Sequence, residues 1–91
     1  MELRHLRYFA AVAHFLNYSE ASRHLHVAQP AISQTVLDLE DELGVKLLLR
    51  TKRSVQLTAA GTTFLREAEE ILRRSTEAQR AAQRAARPAP R

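Results

Sequence analysis

The sequence predicts a mainly α-helical fold: three helices, a two-stranded hairpin and one long final helix. Three observations carry this reading. Apolar residues recur at three-to-four spacing over most of the 91 positions, and alternation is confined to positions 45–57. Only two glycines and three prolines punctuate the chain, too few for a many-turned β-sandwich. Apolar residues make up 45% and aromatics 5%, so the core must be built from leucine, valine, isoleucine and alanine.

Taken in order, Leu3, Leu6, Phe9, Val12 or Ala13, and Leu16 mark a first helix over 3–16, buried on one side. Asn17-Tyr18-Ser19-Glu20 has the form of a capping box, with Asn17 accepting from the backbone and Glu20 reaching back. The second helix runs through about Leu25, and His26-Val27-Ala28 breaks the pattern. Gln29-Pro30 opens a third helix, since proline is tolerated in the first turn. Its apolar stripe is Ile32, Val36, Leu39 and Leu43, and Gly44 stands where a left-handed terminal residue is wanted. Val45, Leu47 and Leu49 then alternate with Lys46, Leu48 and Arg50, and Val55-Gln56-Leu57 alternates again across a basic tip. Thr58 is a good N-cap for the last helix, which carries Phe64, Leu65, Ala68, Ile71 and Leu72. From about Ser75 onward only small apolar residues continue the spacing, as in a linker or a frayed end.

Composition narrows function before any motif does. A chain this short holds one small core. The absence of cysteine excludes disulfides, thiolate metal sites and thiol catalysis. The longest run of bulky apolar residues is Leu47-Leu48-Leu49, so no membrane partner is expected, and without a signal-peptide pattern the chain reads as cytosolic. Net charge is +4, and twelve of the fourteen basic residues are arginine, whose fork matches phosphate oxygens. His24 and His26 diverge on a helix, and His5 and His14 are too far apart in sequence to pair, so no metal or cofactor is expected. No serine has a paired base, which argues against an enzyme.

The second and third helices, about four residues apart, form a helix-turn-helix candidate. If the apolar stripe faces inward, Pro30, Gln34, Leu37, Asp38 and Asp41 point away from the core, with Ser33 on the flank and Gln29 at the helix start. The acids Asp38, Glu40, Asp41 and Glu42 all lie in the C-terminal half. A helix entering the major groove by its N-terminal end would bring polar side chains and a positive dipole to the bases and keep its acids away. Beside it, Lys46, Arg50, Lys52 and Arg53 fall within eight residues with no acid among them. Such a tip serves as a wing along a phosphate backbone or in a minor groove. The competing reading is a homodimeric assembly module whose basic surface serves only solubility. Four cations at one hairpin, next to Gln and Ser on a helix end, favour double-stranded DNA.

The chain resembles the N-terminal DNA-binding domain of LysR-type bacterial transcriptional regulators from Met1 to about Leu72. The resemblance rests on Leu3-Arg4-His5-Leu6-Arg7-Tyr8-Phe9, on the run from Ala21 to Gln34, on Leu39-Glu40-Asp41-Glu42-Leu43-Gly44-Val45-Lys46-Leu47, and on the run from Arg50 to Gly61. It implies a winged helix-turn-helix over 1–58, a linker and dimerisation helix over 59–87, and a disordered end at 88–91. By the same resemblance Gln29, Pro30, Ser33 and Gln34 read bases. Arg50, Lys52 and Arg53 contact backbone or minor groove, and Ser19 contacts phosphate. The linker helix would pair with a second copy through Phe64, Leu65, Ala68, Ile71, Leu72 and Ser75, part of that stripe also packing on the first helix. The pair would bind an interrupted pseudo-palindrome in the bacterial cytoplasm, at the nucleoid. The family's effector domain would follow this segment, which is expected to bind no small molecule itself. The sequence departs from the family pattern at Ala28, often serine, at Leu48, usually phenylalanine, and at Gln34, commonly arginine.

Overall fold

A computed structural model describes residues 1–87, and the disordered end expected at 88–91 lies outside the described residues. The chain runs α1 (Leu3–Phe15), α2 (Tyr18–Leu25), α3 (Gln29–Leu43), β1 (Leu48–Arg50), β2 (Val55–Leu57) and α4 (Ala59–Ala86). The fold is mainly helical with a two-stranded antiparallel wing, as the sequence predicts. Among the described residues no helix is long and apolar enough to cross a membrane.

The helix ends are chemical. Glu2 N–H donates to His5 Nδ1 at 2.8 Å at the start of α1. Asn17 Oδ1 accepts from Glu20 N–H at 2.9 Å, so half of the expected capping box forms. The other half does not, because the Glu20 carboxylate turns to Arg23 instead. The first two helices end on residues in the left-handed region, Leu16 at φ 50° and His26 at φ 56°. Each conformation costs a non-glycine residue about 1–2 kcal/mol. It persists because the tight reversals place α2 against α1 and α3 against α2. At the end of α3, Gly44 adopts φ 71° without that cost.

The core lies where α1 meets α2, α3 and α4, and Phe9, Val12, Ala21, Ile32 and Leu47 are fully buried in it. Phe64 of α4 packs against Phe9 in a tilted pair with ring centroids 5.6 Å apart, fixing the long helix to the body. Leu43, the last residue of the predicted stripe, is only half-buried.

The hairpin differs from the expected alternation. Leu47 and Leu48 are both buried, whereas Val45 and Leu49 are exposed. The strand begins only at Leu48, and Leu47 belongs to the connector that turns under α4. The register is Leu48 to Leu57, Leu49 to Gln56 and Arg50 to Val55. Two contacts hold its base. Glu40, buried on α3, accepts from Leu47 N–H at 2.7 Å and Leu48 N–H at 3.2 Å. Thr58 Oγ1 donates towards Lys46 O at 2.6 Å and Leu47 O at 3.2 Å, and accepts from Gly61 N–H at 2.9 Å as the cap of α4.

At Gly61 the helix crosses this connector so closely that a Cβ would stand 2.0 Å from Leu47 O, and only glycine fits. Beyond the body α4 continues to Ala86, so the stretch from about Ser75, read as a linker or a frayed end, is helical. Alanine, glutamine and arginine are strong helix formers. Glu69–Arg73 and Glu70–Arg74 have i,i+4 spacing, but the pair that forms is a two-pronged Glu70–Arg73 contact of 2.5 and 3.0 Å. Arg73 thereby holds the Glu70 carboxyl below its ordinary range. The projecting helix gives the molecule extents of 61 × 26 × 18 Å and a radius of gyration of 15.9 Å, against about 12 Å for a compact domain of this length.

Candidate nucleic-acid interface

Two short helices and the hairpin tip converge on one side of the molecule. The N-terminal half of α3 presents Gln29, Pro30 and Gln34 to solvent, with Ser33 half-buried on the flank. The start of α2 places Ser19 next to the start of α3, where Ser19 Oγ donates to Gln29 Oε1 at 3.2 Å. Opposite them stands the wing. Its tip is a four-residue turn in which Thr51 N–H donates to Ser54 O at 2.9 Å. Thr51 Oγ1 also accepts from Ser54 N–H at 3.0 Å and from Arg53 N–H at 3.3 Å. The threonine hydroxyl thus serves as an internal cap, leaving Lys52 and Arg53 at the apex, exposed and without an acidic partner among the described residues.

Between tip and helices lies an open groove of about 230 Å³. Ser19, Gln29, Arg50, Lys52 and Arg53 all line it, and no carboxylate does. Residues up to 34 positions apart in sequence therefore share one polar, cationic concavity. The start of α2 adds backbone N–H groups and a positive dipole end to its wall.

Arg50 couples the three elements. Its guanidinium lies over the Tyr18 ring, 4.1 Å from the centroid, and Nη1 donates to Ser33 Oγ at 3.1 Å. A cation over an aromatic face at a partly exposed site contributes about 0.5–1 kcal/mol. Burial raises the Tyr18 hydroxyl above its ordinary pKa and Glu40 adds to the rise, while Arg50 opposes it. The ring accordingly stays a neutral phenol under the arginine. Further along α3, Gln34 Nε2 donates to Asp38 Oδ1 at 2.9 Å.

Sequence reasoning missed Tyr18, Glu40 and Gly61. Glu40 had a signal, since it stands four residues after Val36 and so shares the buried stripe. Tyr18 and Gly61 had none, because their partners Arg50 and Leu47 are remote in the chain. The residues assigned to dimerisation divide. Ala68 is fully buried against its own body, so it is withdrawn from a surface that meets a second chain. Phe64, Leu65, Leu72 and Ser75 are half-buried, and Ile71 is exposed.

Residues 3–62 match the bacterial regulatory helix-turn-helix protein, lysR family. Over 78 residues the chain is 54% identical to the Hca operon transcriptional activator HcaR of Escherichia coli strain K12, covering 86% of this chain and 26% of that protein. It is 51% identical over 87 residues to the HTH-type transcriptional regulator AlsR of Bacillus subtilis strain 168, covering 96% of this chain and 29% of that protein. Both are transcriptional regulators rather than enzymes, and the chain spans under a third of their length. Among solved structures, the CbnR DNA-binding domain in complex with DNA superimposes with a TM-score of 0.91 at 45% identity, over 96% of this chain and all of that one. The BenM DNA-binding domain on its catB site 1 DNA gives 0.94 at 38% identity, over 98% of this chain and all of that one.

Proposed function

The chain belongs to the lysR family of bacterial regulatory helix-turn-helix proteins, and from that premise we propose that it reads specific DNA sequences for a transcriptional regulator of the bacterial cytoplasm, working at the nucleoid. The N-terminal half of α3 enters the major groove, where Gln29, Pro30, Ser33 and Gln34 meet base edges. Ser19 and the start of α2 hold a phosphate, and Arg50, Lys52 and Arg53 follow the backbone or enter the minor groove. The observation that carries this is the acid-free groove joining Ser19 and Gln29 to the cationic wing tip. Matched structures of similar sequence hold DNA on the same fold, which supports the choice of partner.

The active unit is a dimer on an interrupted pseudo-palindrome, with a second copy seated on α4 around Ile71 and the helix beyond it. The support is surface. The chain exposes 6585 Å², against about 5,400 Å² for a compact monomer of its mass, and α4 is exposed along most of its length past Leu72. Two-fold pairing would present two copies of α3 to the two half-sites.

Fluorescence anisotropy on random duplex and on a pool of interrupted palindromes, at several salt concentrations, tests the reading. Tighter binding to some palindromes, falling steeply with salt, is the expected result. Q29A should lose that preference and keep the non-specific term. R53A should weaken binding to every duplex and reduce the salt slope by about one unit or less. Equal, weak binding to all duplexes would leave an assembly module as the better account.

A further inference from the structure

Asp38 stands on the outer face of α3, one turn past Gln34, and its carboxylate accepts from the Gln34 amide nitrogen at 2.9 Å. Both side chains are exposed, and Asp38 has no cationic partner among the described residues. The chemistry of the pair allows one orientation. An ionised carboxylate only accepts, so the amide must turn its nitrogen towards Asp38 and keep its oxygen away from it. Gln34 therefore offers the groove a carbonyl acceptor and one remaining N–H, and no other contact competes for that oxygen among the described residues.

We propose that Asp38 is a specificity-determining residue, orienting the Gln34 amide so that its base position favours an exocyclic amine, adenine foremost, over guanine. The inference rests on the reading of α3 as the groove helix. Adenine presents N6–H₂ to the carbonyl and N7 to the free N–H, a two-bond match. Cytosine satisfies the carbonyl alone. Guanine presents two acceptors, O6 and N7, and would require the second N–H that Asp38 holds. It also meets the Gln34 oxygen as a like dipole. Discrimination of this kind is expected at about five- to a hundredfold for one well-formed pair. Asp38 never touches the base; it acts on the pairing from behind and supplies the penalty against the wrong partner.

The test is selection of duplexes from a randomised pool by the chain, by Q34A, by D38N and by D38E, followed by anisotropy on single-base variants of the selected site. Asparagine has the same shape but both donates and accepts, so D38N frees the amide to flip, whereas D38E keeps an acceptor-only group within reach. Circular dichroism confirms that each variant is folded. The expected pattern is an adenine or cytosine preference that Q34A abolishes, D38N relaxes towards guanine at that base pair alone, and D38E restores. D38N also removes a negative charge, which tightens binding to every duplex alike and leaves the base ratio untouched. A D38N preference identical to that of the unaltered chain overturns the role of Asp38. If Q34A leaves every preference intact, or the chain selects no sequence at all, the groove reading of Gln34 fails and the proposal with it.

Discussion

The base of the wing is joined to α3 by a buried carboxylate, and replacing it should be costly. Glu40 is 8% exposed and accepts two backbone N–H bonds, from Leu47 and Leu48, at the point where the chain enters the hairpin. In E40A both donors lose their partner. An unsatisfied buried donor costs about 1–3 kcal/mol, and the longer Leu48 bond stands at the lower end, so the total is about 2–4 kcal/mol. A chain of 91 residues has only about 5–14 kcal/mol of stability to lose, and each kcal/mol moves the midpoint by about 4–8 °C. Thermal unfolding followed by circular dichroism should therefore fall by roughly 10–25 °C. Lys46 Nζ, 3.9 Å from the carboxylate and largely exposed, is a minor partner, so K46A should cost at most about 0.5 kcal/mol. E40Q keeps a carbonyl oxygen in place and should recover most of the loss. The contact also sets the angle of the wing, so below the E40A midpoint R53A should weaken DNA binding less in that background than in the unaltered chain. An E40A midpoint within 2 °C of the parent, or an E40Q as unstable as E40A, would refute the clamp; the 2 °C bound is about a quarter to a half of one kcal/mol at this size.

Three further changes test other parts of the frame. G61A adds a good helix former, worth about 1 kcal/mol, but drives its Cβ to within 2.0 Å of Leu47 O; the clash must win, and urea unfolding should show a net loss of about 1–3 kcal/mol. A28S supplies the side-chain cap that α3 lacks; Pro30 has no N–H, so the hydroxyl can serve Ala31 N–H, and stability should rise by about 0.5–2 kcal/mol in the same assay. The pH dependence follows from Tyr18, whose pKa is raised by burial. The folded state keeps that proton longer than the unfolded one, so its contribution is complete below about pH 10 and declines as pH rises from there towards the folded pKa. Y18F should remove that part of the alkaline decline, measured as urea midpoints at pH 8 to 11 relative to the parent (pH values chosen to bracket the ordinary tyrosine range).

How much of this was legible in sequence depends on how far apart the interacting groups stand in the chain. Asn17, Thr58 and Gly44 were read correctly because each acts within one helical turn of itself, and the apolar stripes of α1 and α3 are periodic by the same local geometry. The hairpin was found, but its inward face was not, because consecutive residues Leu47 and Leu48 are both buried by a bend under α4 that alternation cannot express. The return contact expected of Glu20 fails for a different reason. Exposed acids on a helix have several arginines within reach, and differences of a few tenths of a kcal/mol choose between them.

By itself, then, the sequence determined the helices, the caps at Asn17, Gly44 and Thr58, the basic tip and the polar start of α3, all products of short-range spacing. Tertiary structure alone decided that Arg50 lies over Tyr18 and reaches Ser33, that Glu40 holds the base of the wing, that Gly61 must admit the Leu47 carbonyl, and that Ala68 faces inward. These contacts join positions 7 to 32 residues apart. Their existence depends on how α3 and α4 cross the body, and packing sets that crossing in three dimensions.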